Sequence, residues 1–591
     1  MKLTLSLLAF GFTSALFAQQ INPHDEVLPR SLTPAERRIM GEYYANYGFG
    51  EKGISVPPGG NIRCAAEWEE IQTLVITWTG QYNTIQSQIV DAAQEECRVL
   101  IACTDSNTVK NTLSNNGVPD VNLEFIEVPY NSIWIRDYGP NTMYRNDVDS
   151  LFLVDWIYNR PRPDDDAMPD EHALWHNVPL YETTQAPSDL VNTGGNWMSD
   201  GLGTAFASEL ILDENDAGNP YLVTVKNETD INNIMSDFMG IDRYIKMTVL
   251  PYDDIHHIDM HMKLLDEETL LVSEYPAGVA DGPQIEANLQ YVLSNFNSVF
   301  GTPYKVVRIP APPSTSGSYP NSGGYYRTYA NQVFINKTVL VPFYRQEYDT
   351  IAQRILEEAM PGYNIIGIDV DNSGQNLISL SGAIHCITHS VGVNDPMLIV
   401  HQALPDTYDD TNPYFVSAEI QHRSGISGAT LYWATTPGGP YASVTMSNGG
   451  GNTWTANIPA QAVGTLVYYY IEGTANSGKV QVRPITAPTG YWEFEILDLL
   501  DVAELNSADL LSVYPNPAHA ITCVPLSLQS EMEGSLLLQD ITGKTVKVLH
   551  EGTFPSGATN YFFFANEFAA GSYLVVFEGN GQRQTQKVMI R

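Results

Sequence analysis

Between Ile62 and about Gln402, short apolar runs of strand length alternate with stretches whose apolar residues recur at helical spacing. That alternation limits the chain to an α/β fold there. TLVITW (Thr73–Trp78), RVLIAC (Arg98–Cys103) and NLEFIEVP (Asn122–Pro129) read as strands, with helical spacing at Tyr82, Ile85 and Ile89 between the first two. The grammar repeats. YLVTVK, DINNIMSDFM, IKMTVLP and LLVSEYP form one further unit. ANLQYVLSNF, YKVVRIPAPP and QVFINKTVLVP form another, and DTIAQRILEEAM, NIIGIDV and NLISLSGAIHC the last. Units of roughly 50 to 80 residues predict repeated modules, and a radial arrangement would gather their loops around one cleft. The alternative from periodicity alone is a doubly wound sheet.

The flanks read differently. MKLTLSLLAFGFTSALFAQQ has the basic start, short apolar core and small residue, Ala18, of a secretory signal peptide over residues 1–18. Residues 19–58 are a polar, Pro-containing lead-in or pro-segment, with an amphipathic helix expected at Thr33–Ala45 and Pro34 in its first turn. After Gln402 helical periodicity disappears. FVSAEIQHR, ATLYWAT, NTWTANIP, TLVYYYIEGT and YWEFEIL predict an immunoglobulin-type β-sandwich over 403–498. A linker, 499–510, precedes a last β-module at 511–591. No later segment is long and apolar enough to cross a bilayer.

The 591 residues carry 68 acidic and 30 basic side chains, a net charge of −38. That argues against a nucleic-acid partner, whose phosphates need Lys and Arg, and it concentrates cationic ligands. Five cysteines are too few for a disulfide scaffold, and the odd count leaves at least one thiol free. Cys386 has the chemically suggestive neighbours: in SGAIHCITHS it lies between His385 and His389. A thiolate is a strong nucleophile when its surroundings lower its pKa, although a buried structural cysteine is the plainer reading.

Four stretches add chemistry to that cysteine. In IWIRDYGP (Ile133–Pro140), Asp137 beside Trp134 is placed at a strand exit to accept two bonds from a guanidinium, or else to form an Asx-turn. In HHIDMH, an extended backbone would set His257, Asp259 and His261 on one face. That serves either a metal site, or a general acid/base His257 with a substrate-binding Asp259. NSGGYYRTYANQVFINKTVLVP opens with a Gly-rich segment suited to a lid. It then places Asn331 before a buried strand, either for substrate and the thiol loop or for local backbone bonds. IYNRPRPDDD holds Arg160 and Arg162 around Pro161, with both side chains expected outward, as a carboxylate clamp or as ion pairs with Asp164–Asp166.

In their order along the chain, IWIRDYGP, VDWIYNRPRPDDD, HHIDMH, the Asn331 strand and GAIHCITH resemble the Porphyromonas-type peptidylarginine deiminases of the pentein superfamily, over roughly residues 60–402. Agmatine deiminases are the nearer small-molecule relatives. The resemblance implies a five-unit α/β propeller over 59–402, followed by two all-β sandwich modules. It implies Cys386 as nucleophile, His257 as acid/base and Asp137 and Asp259 as guanidinium anchors. Asn331 matches the family's active-site asparagine, while Arg160 and Arg162 match residues that read a terminal carboxylate. Trp134 belongs with the substrate-binding residues. The resemblance implies no metal and no cofactor. The segment from SVYPNP to GSYLVVFEGNGQRQTQKVMIR resembles the C-terminal sorting domain of type IX secretion, implying that machinery as partner and a route through the periplasm to the cell surface or medium. The expected activity is hydrolysis of arginine, at a peptide C-terminus, to citrulline and ammonia through a covalent thiouronium. Competing readings are an agmatine deiminase in putrescine biosynthesis, a metal-dependent hydrolase and a surface adhesin with an inert catalytic domain.

Overall fold

The computed structural model describes residues 27–47, 53–276, 278–497, 508–510, 513–518 and 521–591. The signal peptide expected at 1–18 and most of the linker at 499–510 lie outside the described residues.

Residues 62–392 repeat one small unit five times: two antiparallel strands, a helix packed on their sheet, and a third strand running parallel to the second. In the first, Ile71–Thr77 pairs antiparallel with His389–Gly392, and helix Asn83–Ala93 leads to the parallel strand Arg98–Cys103. The second has Asn141–Arg145 and Leu151–Tyr158, helix Met168–His176, and Leu180–Thr183. The third has Met198–Ser199 and Thr204–Ser208, helix Glu228–Met239, and Arg243–Met247. The fourth has Met262–Leu264 and Thr269–Glu274, helix Gly282–Asn295, and Lys305–Pro310. The fifth has Val333–Ile335 and Thr338–Phe343, helix Gln346–Ala359, and Asn364–Asp369. Where the crossover helices bury them, as at Arg98–Cys103 and Thr338–Phe343, the parallel strands read as near-continuous apolar runs. Strand pairing stays within each of the five sheets, so it does not itself establish the closed ring implied by the resemblance.

Three local expectations are corrected. YLVTVK carries no strand: Tyr221 and Val223 pack instead against Met40 and Tyr44 of an N-terminal helix, and the strand of that unit is Thr204–Ser208. NLISL ends in a 3-10 turn, Ile378–Leu380, because the Asn376 side chain accepts the Ser379 N–H and turns the chain. IWIRDYGP leaves a loop as a single helical turn, Ile135–Tyr138, rather than a strand. The expected N-terminal helix is present as Pro34–Tyr47. Thr33 Oγ1 accepts the Glu36 N–H while Glu36 accepts the Thr33 N–H, a capping box that fixes where it starts.

Beyond the α/β region the described chain is β-rich. Two sheets between Leu398 and Glu495 enclose a core containing Val416, Ile420, Leu431, Ile458 and Tyr469. Two more, between Ala508 and Ile590, enclose Val524, Leu538, Phe563 and Phe577.

Asn336 ties the first unit to the fifth. At φ 51° it turns the hairpin after Val333–Ile335, and its amide bonds the Ile71 N–H and the Ile71 and Glu96 carbonyls. Asn336→Ala loses those bonds and places an alanine in the left-handed region. A loss of roughly 2–3 kcal/mol is expected in urea unfolding followed by tryptophan fluorescence, with Asn336→Gly losing about 1 kcal/mol less. Equal stability of all three chains would show that this bridge does not hold the sheets.

Candidate active site

The loops leaving the five units meet in a buried hollow, and a guanidinium already lies in it. Arg30, on the extended stretch before helix Pro34–Tyr47, is wholly buried. Its Nε and Nη2 donate to Asp137 Oδ2 and Oδ1 at 2.9 and 2.7 Å. Its Nη1 and Nη2 donate to Asp259 Oδ1 and Oδ2 at 3.2 and 3.1 Å. Nη1 also lies 2.6 Å from Cys386 Sγ. Two carboxylates thus grip one planar cation in bidentate fashion, with the thiol beside it.

Each of these groups is set by a short, tight turn. Asp137 stands on Ile135–Tyr138; Asp259 on the 3-10 turn Ile258–Met260; Cys386 on the 3-10 turn His385–Ile387. HHIDMH is therefore not extended, and His261 does not share a face with its neighbours as expected. Both its ring nitrogens are buried without a hydrogen bond among the described residues. His257, also fully buried, has its Nδ1 3.5 Å from Asp137 Oδ1, an ion-pair separation too long for a good hydrogen bond. Asn331 holds the thiol loop: Oδ1 accepts the His385 N–H at 3.1 Å and the Cys386 thiol at 3.2 Å, and Nδ2 donates to the Asp259 carbonyl at 3.3 Å. Trp134 is buried and donates Nε1 to the Leu28 carbonyl at 2.8 Å. A Cβ on Gly382 would fall 2.4 Å from the Trp134 ring and 3.1 Å from Cys386 Sγ, so the ring and thiol close together only over a glycine.

Arg160 and Arg162 do not point outward; both are buried. Arg160 Nε donates to the Arg30 carbonyl at 3.1 Å. Arg162 Nε donates to Glu36 Oε1 at 2.7 Å and its Nη2 to the Pro29 carbonyl at 2.8 Å. Asp164 and Asp165, the alternative partners for these arginines, instead bond Asn131 and Ser132 and shape the loop entering the Asp137 turn.

Glu67 and Gly195 were not singled out from the sequence, and His385 was noted as a neighbour of Cys386 but not as a bridge to Asp259. His385 bridges Asp259 Oδ2, 2.8 Å from Nδ1, and Glu67 Oε1, 2.7 Å from Nε2; Lys263 and Arg136 both approach Glu67. Gly195 forms the floor: a Cβ there would lie 1.8 Å from Arg30 Nη2 and 2.5 Å from His257 Nδ1. The buried Gly-Gly of TGGNW was the available signal, but glycine pairs are common in turns. His389, which flanks Cys386 in sequence, faces away and bonds the Pro140 carbonyl at 2.6 Å.

Burial pushes the Asp137 and Asp259 carboxyls up, and the Arg30 charge overrides it, holding both well below the usual carboxylate range. Burial, and next the Arg30 charge, hold the His257 imidazole down at about 4, against the pull of Asp137. Burial pushes the Cys386 thiol well up; Arg30 opposes that shift, and Asp259 and Asp137 reinforce it. The site therefore rests as anion, cation, neutral imidazole and neutral thiol. Among the described residues, no group of three or more His, Cys, Asp or Glu side chains is placed to hold a metal ion. All five cysteines are free and buried, Cys97 and Cys103 included.

Residues 63–391 match the family model of the Porphyromonas-type peptidyl-arginine deiminase, and residues 512–591 that of the secretion system C-terminal sorting domain. A Legionella pneumophila protein bearing the name of an agmatine deiminase is 24% identical over 342 residues, covering 55% of this chain and 93% of its own. One from Yersinia pestis is 24% identical over 366 residues, covering 55% and 94%. Among solved structures, the agmatine deiminase of C. jejuni is similar at 22% identity and a TM-score of 0.46, covering 56% of this chain and 97% of its own. That of Enterococcus faecalis is similar at 19% and 0.48, covering 57% and 99%.

Gly195→Ala puts a methyl group where the guanidinium lies, so it should expel Arg30 while leaving the sheets intact. Trypsin cleavage after Arg30 in the native chain should rise at least roughly tenfold, because cleavage follows local opening. An unchanged cleavage rate would mean that Gly195 is not the floor of the hollow.

Proposed function

Because the chain belongs to the Porphyromonas-type peptidyl-arginine deiminase family, hydrolases of carbon–nitrogen bonds in linear amidines, we propose that it converts the guanidinium of a peptide's C-terminal arginine to citrulline and ammonia. The observation carrying this reading is the grip on Arg30: two carboxylates fix the plane of a guanidinium while Cys386 meets its edge and Arg160 meets the carbonyl of the same residue. In a chain-terminal arginine, that carbonyl position is taken by an oxygen of the α-carboxylate. Arg162 already holds a carboxylate, that of Glu36. Agmatine has no such group and would leave both arginines unused.

The chemistry follows from the groups present. The guanidinium carbon is a poor electrophile because its charge is spread over three nitrogens. Asp137 and Asp259 hold that plane still, and the cation they hold is what draws Cys386 towards its ionised form. Cys386 gives up its proton to His257 as sulfur forms a bond to the central carbon from above the plane. The bond to one terminal nitrogen then breaks, and His257, on the Nη2 side, delivers the proton that leaves with it as ammonia. The remaining S-alkyl thiouronium is attacked by water, whose proton passes to His257. The carbon–sulfur bond breaks, the thiol regains a proton, and citrulline is left. Asn331 keeps the thiol loop and Asp259 in register, and Trp134 walls the hollow.

We further propose that the five units are arranged radially as a propeller spanning 59–402, with an immunoglobulin-like module at 403–498 between it and the sorting domain. The sheet repeat and the convergence of its loops support the first part. The sorting domain supports secretion to the cell surface or medium, with a signal peptide at 1–18 and passage through the periplasm as the route proposed.

The test is citrulline release from peptides ending in arginine, free arginine and agmatine, measured on the Arg30→Ala chain, whose site is free of its own guanidinium. Adding Cys386→Ala, Asp137→Asn, Asp259→Asn or His257→Gln should each lower kcat/KM roughly 100-fold or more. Agmatine turnover exceeding that of the peptides, and unchanged by Arg160→Ala/Arg162→Ala, would sink the peptide reading. The pH dependence has a definite sign. The thiol lies above its ordinary range and must lose its proton, so kcat/KM should climb about tenfold per unit between about pH 6.5 and 8.5. A flat profile would mean a thiolate formed before substrate arrives.

A further inference from the structure

Nothing in the chemistry above requires the guanidinium to belong to the enzyme, yet the one in the hollow does. We infer that residues 27–47 form an intramolecular pseudosubstrate, with Arg30 in the place of the substrate arginine, and that they keep the site shut until displaced. The inference rests on the reading of the site just given.

The segment is held along its length, not by one side chain. Trp134 Nε1 bonds the Leu28 carbonyl, Arg162 the Pro29 carbonyl and Arg160 the Arg30 carbonyl; the Arg30 N–H donates to the Leu380 carbonyl at 3.0 Å. Helix Pro34–Tyr47 anchors the stretch. Met40 and Tyr44 are buried against Ile157, Val191, Tyr221 and Val223, and Tyr44 Oη donates to the Tyr158 carbonyl at 2.7 Å. Glu36 serves twice, capping its own helix and meeting Arg162. The segment thus offers the two charges expected of a substrate, a guanidinium at the acids and a carboxylate at Arg162.

Two features mark this occupant as held, not consumed. Arg30, His257 and Cys386 have no exposed surface, so no second guanidinium and no hydrolytic water can reach the thiol past the segment. Cys386 Sγ also lies along an N–H of Nη1, at the edge of the guanidinium, whereas attack on the central carbon needs its face. A tethered ligand competes at an effective concentration in the millimolar range, above what most external peptides reach. The enzyme is therefore quiet as folded, and removing or displacing residues 27–47 switches it on.

The probe is alkylation of Cys386 by iodoacetamide in the native full chain, read by peptide mass spectrometry and paired with citrulline release from a peptide ending in arginine. Wild type is compared with Arg30→Ala and with Glu36→Ala, which loosens the anchor without touching the guanidinium site. Both variants should label Cys386 at least about tenfold faster, and peptide turnover should rise by a similar factor. In wild type, residue 30 should keep the mass of arginine. Equal labelling in all three chains overturns the inference, as does finding residue 30 converted to citrulline, which would make the segment a substrate. Faster labelling without turnover of any guanidino compound leaves the plug standing and removes the deiminase reading instead.

Discussion

Two buried carboxylates, Asp137 and Asp259, sit within hydrogen-bonding reach of one position, and everything else in the site is arranged around the cost of that. Two like charges placed in a dry interior are each penalised by several kcal/mol unless a cation meets them. Here the penalty is offset by a guanidinium whose planar fork matches both acids at once. The same cation opposes the burial that keeps Cys386 protonated and adds to the burial that keeps His257 neutral. The site is thus electrostatically incomplete without its ligand, which favours filling it with something of the right shape and charge. In this chain, Arg30 fills it.

Behind the acids lies a second layer that makes the arrangement rigid. His385 joins Asp259 to Glu67, and Glu67 collects Lys263 and Arg136, so that the Asp259 oxygen that meets the guanidinium is also held by His385. Asn331 links that layer to the thiol through three bonds to Asp259, His385 and Cys386. Because Asp137, Asp259 and Cys386 each stand on a turn of only a few residues, their direction is fixed by backbone geometry more than by side-chain rotamer choice.

Much of this could be read from the residues. The alternation of strand and helix patterns gave the α/β class, and strand Arg98–Cys103 falls where its apolar run predicts. Asp137, His257, Asp259, Asn331 and Cys386 were each picked out by residue type and setting, and they do converge. What failed was local. YLVTVK has the composition of a strand but is used as packing for a helix, and NLISL and IWIRDY curl because side-chain and turn bonds outcompete the ladder. Arg160 and Arg162 were expected outward because proline spacing says nothing of what covers a surface. Arg30 and Glu67 could not be found at all: an arginine in a polar leader and a glutamate in a run of acids carry no local mark, and their significance exists only across long sequence separations.

The strand that follows Cys386, His389–Gly392, pairs with Ile71–Thr77 near the start of the same region. The thiol turn is therefore clamped only when the last strand of the α/β region has come back to the first. Loop closure over such a separation is slow and comes after local units have formed. A partly made chain has no assembled thiol pocket with which to act on the guanidino groups around it. The order in which contacts become possible delays chemistry until the circuit is complete.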